Sequence, residues 1–281
     1  MASNPIPVFI GSGEQSVLER KVLIYSLRKH SKRDLAIHVF NGTHNAIERE
    51  NEPPSLAPLS LQLKYRNMTE FSLYRYLIPQ LCSFQGKAIY LDSDMVCFSD
   101  IAQLFDAPMA NSDFLAKKIE SAGGEKTWES SVMLIDCARC RFDLDQIFAE
   151  IDAQAYTYRE FSRLGKGFLA LHPYRIGEID PNWNVLDYCD SSTKLIHYTD
   201  LFTQPWKYPD HPHGHVWFAY LREAMGAKFI TQRDIDLAIL RGHARADLRQ
   251  GNNPRLVGKV RHRLKQWITR TQSAIERKAS V

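Results

Sequence analysis

Hydrophobic positions in the first forty residues fall into three short runs with different periods. Val8, Phe9 and Ile10 in PVFIG (7–11) form an unbroken apolar stretch closed by Gly11, which predicts a short buried strand. In SVLERKVLIYSLRKH (16–30), Leu18, Val22 and Tyr25 recur at three- and four-residue steps and predict a helix. LAIHVF (35–40) returns to a strand pattern. A β-α-β opening of this kind builds a parallel sheet with helices on both faces. ENEPPSLAP (50–58) carries too much proline for a central strand and predicts a loop. After it, LSLQLKY (59–65) reads as a strand, FSLYRYLIPQL (71–81) as a helix disturbed by Pro79, and KAIYL (87–91) as a buried strand. FLAKK (114–118), SVMLID (131–136) and KLIHYT (194–199) are further strands, with LDQIFAEI (144–151) and HVWFAYLREAM (215–225) as helices. The pattern is α/β, with no internal repeat and no low-complexity segment.

At 281 residues and 44% hydrophobic, the chain can bury the core of one large domain, or of one domain with a small appendage. No run reaches the roughly 18–20 apolar residues of a membrane-spanning helix. The start MASNPIPVFIGSG lacks the charged head and long apolar run of a signal peptide, so the expected location is cytoplasmic. Five cysteines form an odd, sparse set that favours thiols over a disulfide framework. Cys137 and Cys140 have the spacing of half a zinc site, but no second Cys or His pair follows at the matching interval.

The net charge of +4 hides an asymmetry that changes the domain picture. Residues 255–281 hold eight Lys or Arg against the single acid Glu276, a balance of +7 that leaves the remainder at −3. A mildly acidic body argues against an enzyme with a basic nucleic-acid-binding surface. Between the basic residues, Leu256, Val260, Leu264, Trp267, Ile268 and Ile275 recur at helical steps. The tail therefore reads as an amphipathic basic helix, which either lies on an anionic membrane surface or packs its apolar stripe on the domain. The expected organisation is a catalytic domain over 1–250 and a basic tail over 251–281.

Candidate chemistry concentrates in KAIYLDSDMVCFSD (87–100), where Asp92 and Asp94 end an apolar strand. Ligands of open α/β sheets bind beyond the carboxyl ends of strands, where the loop Gly11-Ser12-Gly13-Glu14 should also lie. Two carboxylates at i and i+2 face the same side or converge around a turn, and repel unless a cation sits between them. Hard oxygen ligands suit Mg²⁺ or Mn²⁺, with a nucleotide diphosphate supplying further oxygens. The plainer alternative makes Asp92 a turn cap and Asp94 a solvated charge.

Four stretches in order tip that balance. FSLYRYLIPQL followed by AIYLDSDMVCFSDIAQLF resembles the core of glycosyltransferase family 8, which has the GT-A fold and a DxD motif after an apolar strand. PVFIGSGE with its helix, WESSVMLIDC in place of an Asn-x-Gly-Val strand, and IHYTDLFTQPW in place of His-x-x-Gly-x-x-Lys-Pro-Trp extend the resemblance over about residues 6–225. It implies a Rossmann-like, mainly parallel sheet flanked by helices, and a metal-dependent, retaining hexosyltransferase that uses a nucleotide sugar, most often a UDP-sugar. It implies Asp92, Asp94 and His197 as ligands of Mn²⁺ or Mg²⁺. Arg75 and the loop Ile10, Gly11, Ser12, Gly13 and Glu14 would face the donor, together with Asp92, Ser93, Asp94, Ser130 and Ser131. The implied partners are the donor and a glycan or lipid-linked acceptor such as lipopolysaccharide. Nucleic acid is not among them, and the tail makes an anionic membrane a further partner, on the inner face of the cytoplasmic membrane.

The chain also departs from that pattern. The acid expected in the first loop falls near Gly13, with Glu14 the closest carboxylate. Glu129, Ser130 and Ser131 replace Asn-x-Gly, and Gln204 stands where a lysine reaches the diphosphate, leaving Lys207 as its substitute. In the acceptor-side segment YREFSRLGKGF, Glu160 is the nearest candidate for a catalytic acid. Asn182, Trp183 and Asn184 either line the acceptor side or, for Trp183, belong to the core. His197 alone would read as a core residue and Arg75 as a surface charge paired with Glu70 or Asp94. The run Asp210-His211-Pro212-His213-Gly214-His215 has a metal-binding composition but also suits a solvated loop. Two rival functions stay open: a non-catalytic nucleotide-sugar-binding protein, and a phosphotransferase of the haloacid-dehalogenase type, which also ends a strand in Asp-x-Asp.

Overall fold

The opening strand, helix and strand form as their periodicities predict: β1 (Ile6–Ser12), α1 (Val17–His30) and β2 (Leu35–Asn41). They are seen in a computed structural model, which describes residues 4–58, 69–120 and 126–250. The chain continues through β3 (Ala46–Arg49), β4 (Ser55–Leu56), α2 (Ile78–Leu81), β5 (Lys87–Asp92), β6 (Met95–Cys97) and α3 (Ala102–Phe105). There follow β7 (Phe114–Glu120), β8 (Lys126–Asp136), α4 (Leu144–Asp152), α5 (Tyr158–Ser162) and α6 (Lys166–Leu171). The last elements are β9 (Ile176–Glu178), β10 (Val185–Leu186), β11 (Leu195–His197), α7 (Gly214–Gly226) and α8 (Gln232–Leu240).

Eight strands make one sheet in the order β4-β3-β2-β1-β5-β8-β7-β9. Only β3 and β8 run against the other six, so the expected mainly parallel sheet is present. Period-two alternation divides its core between two faces. Val8 and Ile10 of β1 pack with Leu23 and Leu27 of α1 and with Ile89 and Leu91 of β5. Phe9 and Tyr90 point the other way, into a cluster with Phe40, Tyr74 and Phe114. Each such side chain, wholly buried, contributes about 1.5–3 kcal/mol. The aspartates of β5 thus stand at the end of a strand buried on both sides.

A second sheet of three short strands, β10-β11-β6, positions the histidine. In it His197 lies opposite Met95, and the Tyr198 N–H donates to the Asp94 carbonyl at 2.9 Å. Behind it, Leu18 and Val22 of α1 join Val96, Ile196, Trp206 and Trp217 in a third apolar cluster.

Several elements differ from expectation. FSLYRYLIPQL forms a 3₁₀ turn over 74–77 and then only the four residues of α2. Pro79 sits in the first turn of α2, where a missing N–H costs nothing, and it cannot extend the preceding turn into one long helix. The strand predicted over 131–136 begins at Lys126, with a register shift against β7 between Ala116 and Lys117. The strand predicted over 59–65 and the basic tail over 255–281 lie outside the described residues. Among the described residues no helix is long and apolar enough to cross a membrane, and all five cysteines are free.

Candidate active site at the carboxyl end of β5

The register of β1 against β5 places Gly11 opposite Asp92, so the first loop and the aspartate pair share one crevice. Asp92 projects on the same face as Tyr90 two residues earlier, and the Tyr90 hydroxyl donates to Asp92 Oδ1 at 2.6 Å. Arg75 reaches the same oxygen at 3.3 Å, with its guanidinium 4.5 Å from the Tyr90 ring centre. It also donates to the Ser130 carbonyl, to Ser130 Oγ at 2.7 Å and to the Ser72 carbonyl at 3.0 Å. Arg75 is therefore a buried strut between the 3₁₀ turn, β5 and β8, paired with Asp92 rather than with Glu70 or Asp94. Burial acts to lower its pKa, but the Tyr90 and Asp92 oxygens prevail and raise it. The Asp92 carboxyl is pushed up by burial and by Asp94, against the pull of Arg75.

Asp94 and His197 complete the cluster. Oxygens of both aspartates and a ring nitrogen of His197 all lie within 4.8 Å of one another, the one such grouping of metal-ligating side chains among the described residues. His197 Nε2 is 3.0 Å from Asp94 Oδ1. That oxygen is buried without an aligned hydrogen bond, and the His197 ring faces it as its ion-pair partner. Two carboxylates and one imidazole around a common point, with a buried oxygen left unsatisfied, fit a divalent ion with mixed oxygen and nitrogen preference. Without a cation the carboxylates act on the ring instead. Burial would depress the His197 pKa, but Asp94, then Asp92, bring it to about 9.

A layer behind the ligands fixes their aim. Asn184 Oδ1 lies 3.2 Å from His197 Nδ1, which directs Nε2 toward the aspartates. Asn184 Nδ2 donates to Ser131 Oγ at 2.9 Å, and the Lys117 ammonium donates to the Asn184 carbonyl at 2.6 Å. Ser93 and Ser131 are buried. On the other side of the pair, the wholly buried Glu19 of α1 has its carboxyl pushed up to about 8 by burial, with Asp94 adding to the rise and Lys207 opposing it. Gln204 is not turned toward the pair, because its amide is buried and donates to the Tyr198 carbonyl at 3.2 Å.

A cavity of about 250 Å³ opens beside Asp92, lined by Arg75, Trp128, Glu129, Ser130 and Tyr158 among others. Glu160 does not line it. That residue caps its own helix: Oε2 accepts from Thr157 N–H at 3.0 Å, and Oε1 accepts from Gly167 N–H at 3.1 Å. Both of its oxygens thus hold backbone in place. Glu14 is also committed, to Arg241 at 2.6 Å and to Asn41 at 3.3 Å. Ile10 is wholly buried in the core, and Ser12 is buried with Arg20 3.5 Å from its hydroxyl. Trp183 is core, with Lys194 over its ring at 5.3 Å. His211 contacts Asp187 at 3.4 Å and His213 contacts the Cys189 thiol at 3.2 Å, so the histidine-rich run serves local packing.

Sequence reading missed Tyr90 and Glu19 and did not anticipate the contact of Asn184 with His197. The period of two pointed to Tyr90, which must share a face with Asp92. Nothing local pointed to Glu19 or to the role of Asn184, because both depend on elements that meet only in the fold.

The sheet order and its flanking helices match the GT-A fold of solved glycosyltransferases. Residues 7–135 match the sequence model of glycosyl transferase family 8. Protein CDI of Arabidopsis thaliana is 26% identical over 213 residues, covering 66% of this chain and 76% of that protein. The bifunctional glycosyltransferase WbbM superposes with a TM-score of 0.57 at 15% identity, over 80% of this chain and 51% of WbbM, so the chain spans about half of that protein. The galactosyltransferase LgtC, solved with donor and acceptor sugar analogs, gives 0.56 at 11% identity over 78% of this chain and 96% of LgtC. The glycosyltransferase GlyE of Streptococcus pneumoniae gives 0.56 at 14% identity, over 81% of this chain and 64% of GlyE.

Proposed function

We propose that the chain is a metal-dependent, retaining transferase that moves a hexose from a nucleotide sugar, with UDP as the carrier, to a glycan or lipid-linked acceptor such as lipopolysaccharide. The observation that carries this reading is the convergence of Asp92, Asp94 and His197 within 4.8 Å, at the crevice where a nucleotide binds in such sheets. These three residues would hold Mn²⁺ or Mg²⁺, which supplies Lewis-acid neutralisation of a leaving diphosphate.

The chain's own groups would do the rest. Asn184 keeps His197 aimed, and Arg75 with Tyr90 holds Asp92 so that its free oxygen faces the crevice. Lys207 offers a cation toward the diphosphate, and backbone groups of residues 10–14 line the donor. The cavity beside Asp92, with Trp128, Ser130 and Tyr158, suits a sugar ring, whose hydroxyls meet polar groups and whose apolar face meets aromatics. The acceptor oxygen forms its bond to the anomeric carbon on the side from which the diphosphate oxygen departs, and the acceptor proton passes to that departing oxygen. Configuration is then retained without a carboxylate nucleophile. In this reading residues 1–250 are the catalytic domain, and 251–281 form a basic segment that brings the enzyme to an anionic cytoplasmic membrane surface carrying the acceptor.

The test is release of UDP from a panel of UDP- and GDP-hexoses with Mn²⁺, its loss on chelation, and its loss in Asp94→Ala. With the metal grip removed, the rate should fall by at least about a thousandfold, corresponding to about 4 kcal/mol. Full activity in Asp94→Ala, or after chelation, would refute the assignment.

A further inference from the structure

At the end of β1 the carboxylate of Glu70 stands directly against Gly13. Gly13 has an extended backbone, φ −153° and ψ −175°, which any residue adopts, so conformation does not explain the glycine. Space does. A Cβ at Gly13 would sit 1.6 Å from Glu70 Oε1 and 2.5 Å from its carboxyl carbon, so the Glu70 carboxylate occupies the place of the side chain that position 13 lacks. Gly42, just past β2, is under the same constraint, because its Cβ would lie 2.4 Å from the Glu70 carbonyl oxygen. Both glycines let the segment around Glu70 lie directly on the ends of β1 and β2. Thr43 Oγ1 donates to Glu70 Oε1 at 2.8 Å and accepts from the Glu14 N–H at 2.9 Å, which fixes the carboxylate to both loops. Glu14 itself is held by Arg241 and Asn41.

We infer that Glu70 recognises the nucleoside part of the donor, an inference that rests on the nucleotide-sugar reading above. Strands are spaced about 4.8 Å apart, so the ends of β1 and β2 lie roughly 5–10 Å from the end of β5. A nucleoside diphosphate held by its phosphates at Asp92 and Asp94 reaches that far along the crevice with its ribose and base. An exposed carboxylate there accepts hydrogen bonds from ribose hydroxyls or from a base ring N–H. Glu70 is a specificity residue and takes no part in bond exchange.

The experiment is calorimetric titration of the full chain, with Mn²⁺ present, by UDP, CDP and inorganic pyrophosphate. Glu70→Ala should weaken UDP binding by about tenfold to a hundredfold, the loss of a hydrogen bond to a charged group, and leave pyrophosphate unchanged. Unchanged pyrophosphate binding also reports that the variant is folded. A loss confined to UDP assigns the contact to the base N–H that cytosine lacks, and an equal loss for CDP assigns it to the ribose. Gly13→Asp in the Glu70→Ala background returns a carboxylate to the same place and should restore UDP binding. Equal weakening of pyrophosphate and UDP, no weakening of either nucleotide, or a double variant no tighter than Glu70→Ala overturns the inference. If the wild-type chain binds pyrophosphate but no nucleoside diphosphate, the nucleotide-sugar reading falls with it.

Discussion

Asp92 and Asp94 do different work although one serine separates them. Asp92 is restrained by Tyr90 and Arg75, while Asp94 Oδ1 is buried without an aligned hydrogen bond and pairs with His197. Cation affinity should therefore depend on residues that never touch the ion. Asn184 is the clearest, since Nδ1 of His197 meets it at 3.2 Å. Asn184→Ala should lower Mn²⁺ affinity by about 10–100-fold while leaving the far-ultraviolet circular dichroism unchanged. An unaltered dissociation constant would show that the strand alone aims the ring. At this scale the aspartate pair was legible from sequence, because carboxylates at the end of an apolar strand contradict its pattern. Asn184 was visible only as a polar residue beside Trp183, because its partner lies 13 positions away on another strand.

Among the elements, α5 gives Glu160 a structural role beside the functional one expected of it. The sequence offers Glu160 as the acid nearest the acceptor side, yet it closes a capping box with Thr157 and ties the start of α6 through Gly167. Glu160→Ala should cost about 1 kcal/mol, a drop of roughly 2–4 °C in melting temperature for a chain of this size. Turnover per folded molecule should stay near that of the wild type. A collapse of kcat at unchanged melting temperature would return Glu160 to the chemistry. The capping signature, Thr157 followed three residues later by Glu160, was readable in the sequence and carries the simpler account. Long periodic elements such as α1 were equally plain. β11 falls inside the strand expected over 194–199, whereas β10 was not legible, because two residues carry no period and exist only through the partners they meet.

For the whole molecule, the acidic body and basic tail suggest a division of labour that a single experiment probes. Full-length protein and residues 1–254 should differ in co-sedimentation with anionic vesicles, since each Lys or Arg near such a surface contributes on the order of 1 kcal/mol. Equal binding by both would remove the membrane from the proposal. The sequence by itself determined the α/β class, the β-α-β opening, the aspartate pair and the separate character of the tail, because these follow from local periodicity and charge. Only the tertiary structure decided what the aspartates meet. His197 arrives from a strand about a hundred residues later, Arg75 turns inward to Asp92, and Glu70 fills the side-chain space above Gly13. Those contacts depend on sheet order and close packing, which no stretch of sequence encodes alone.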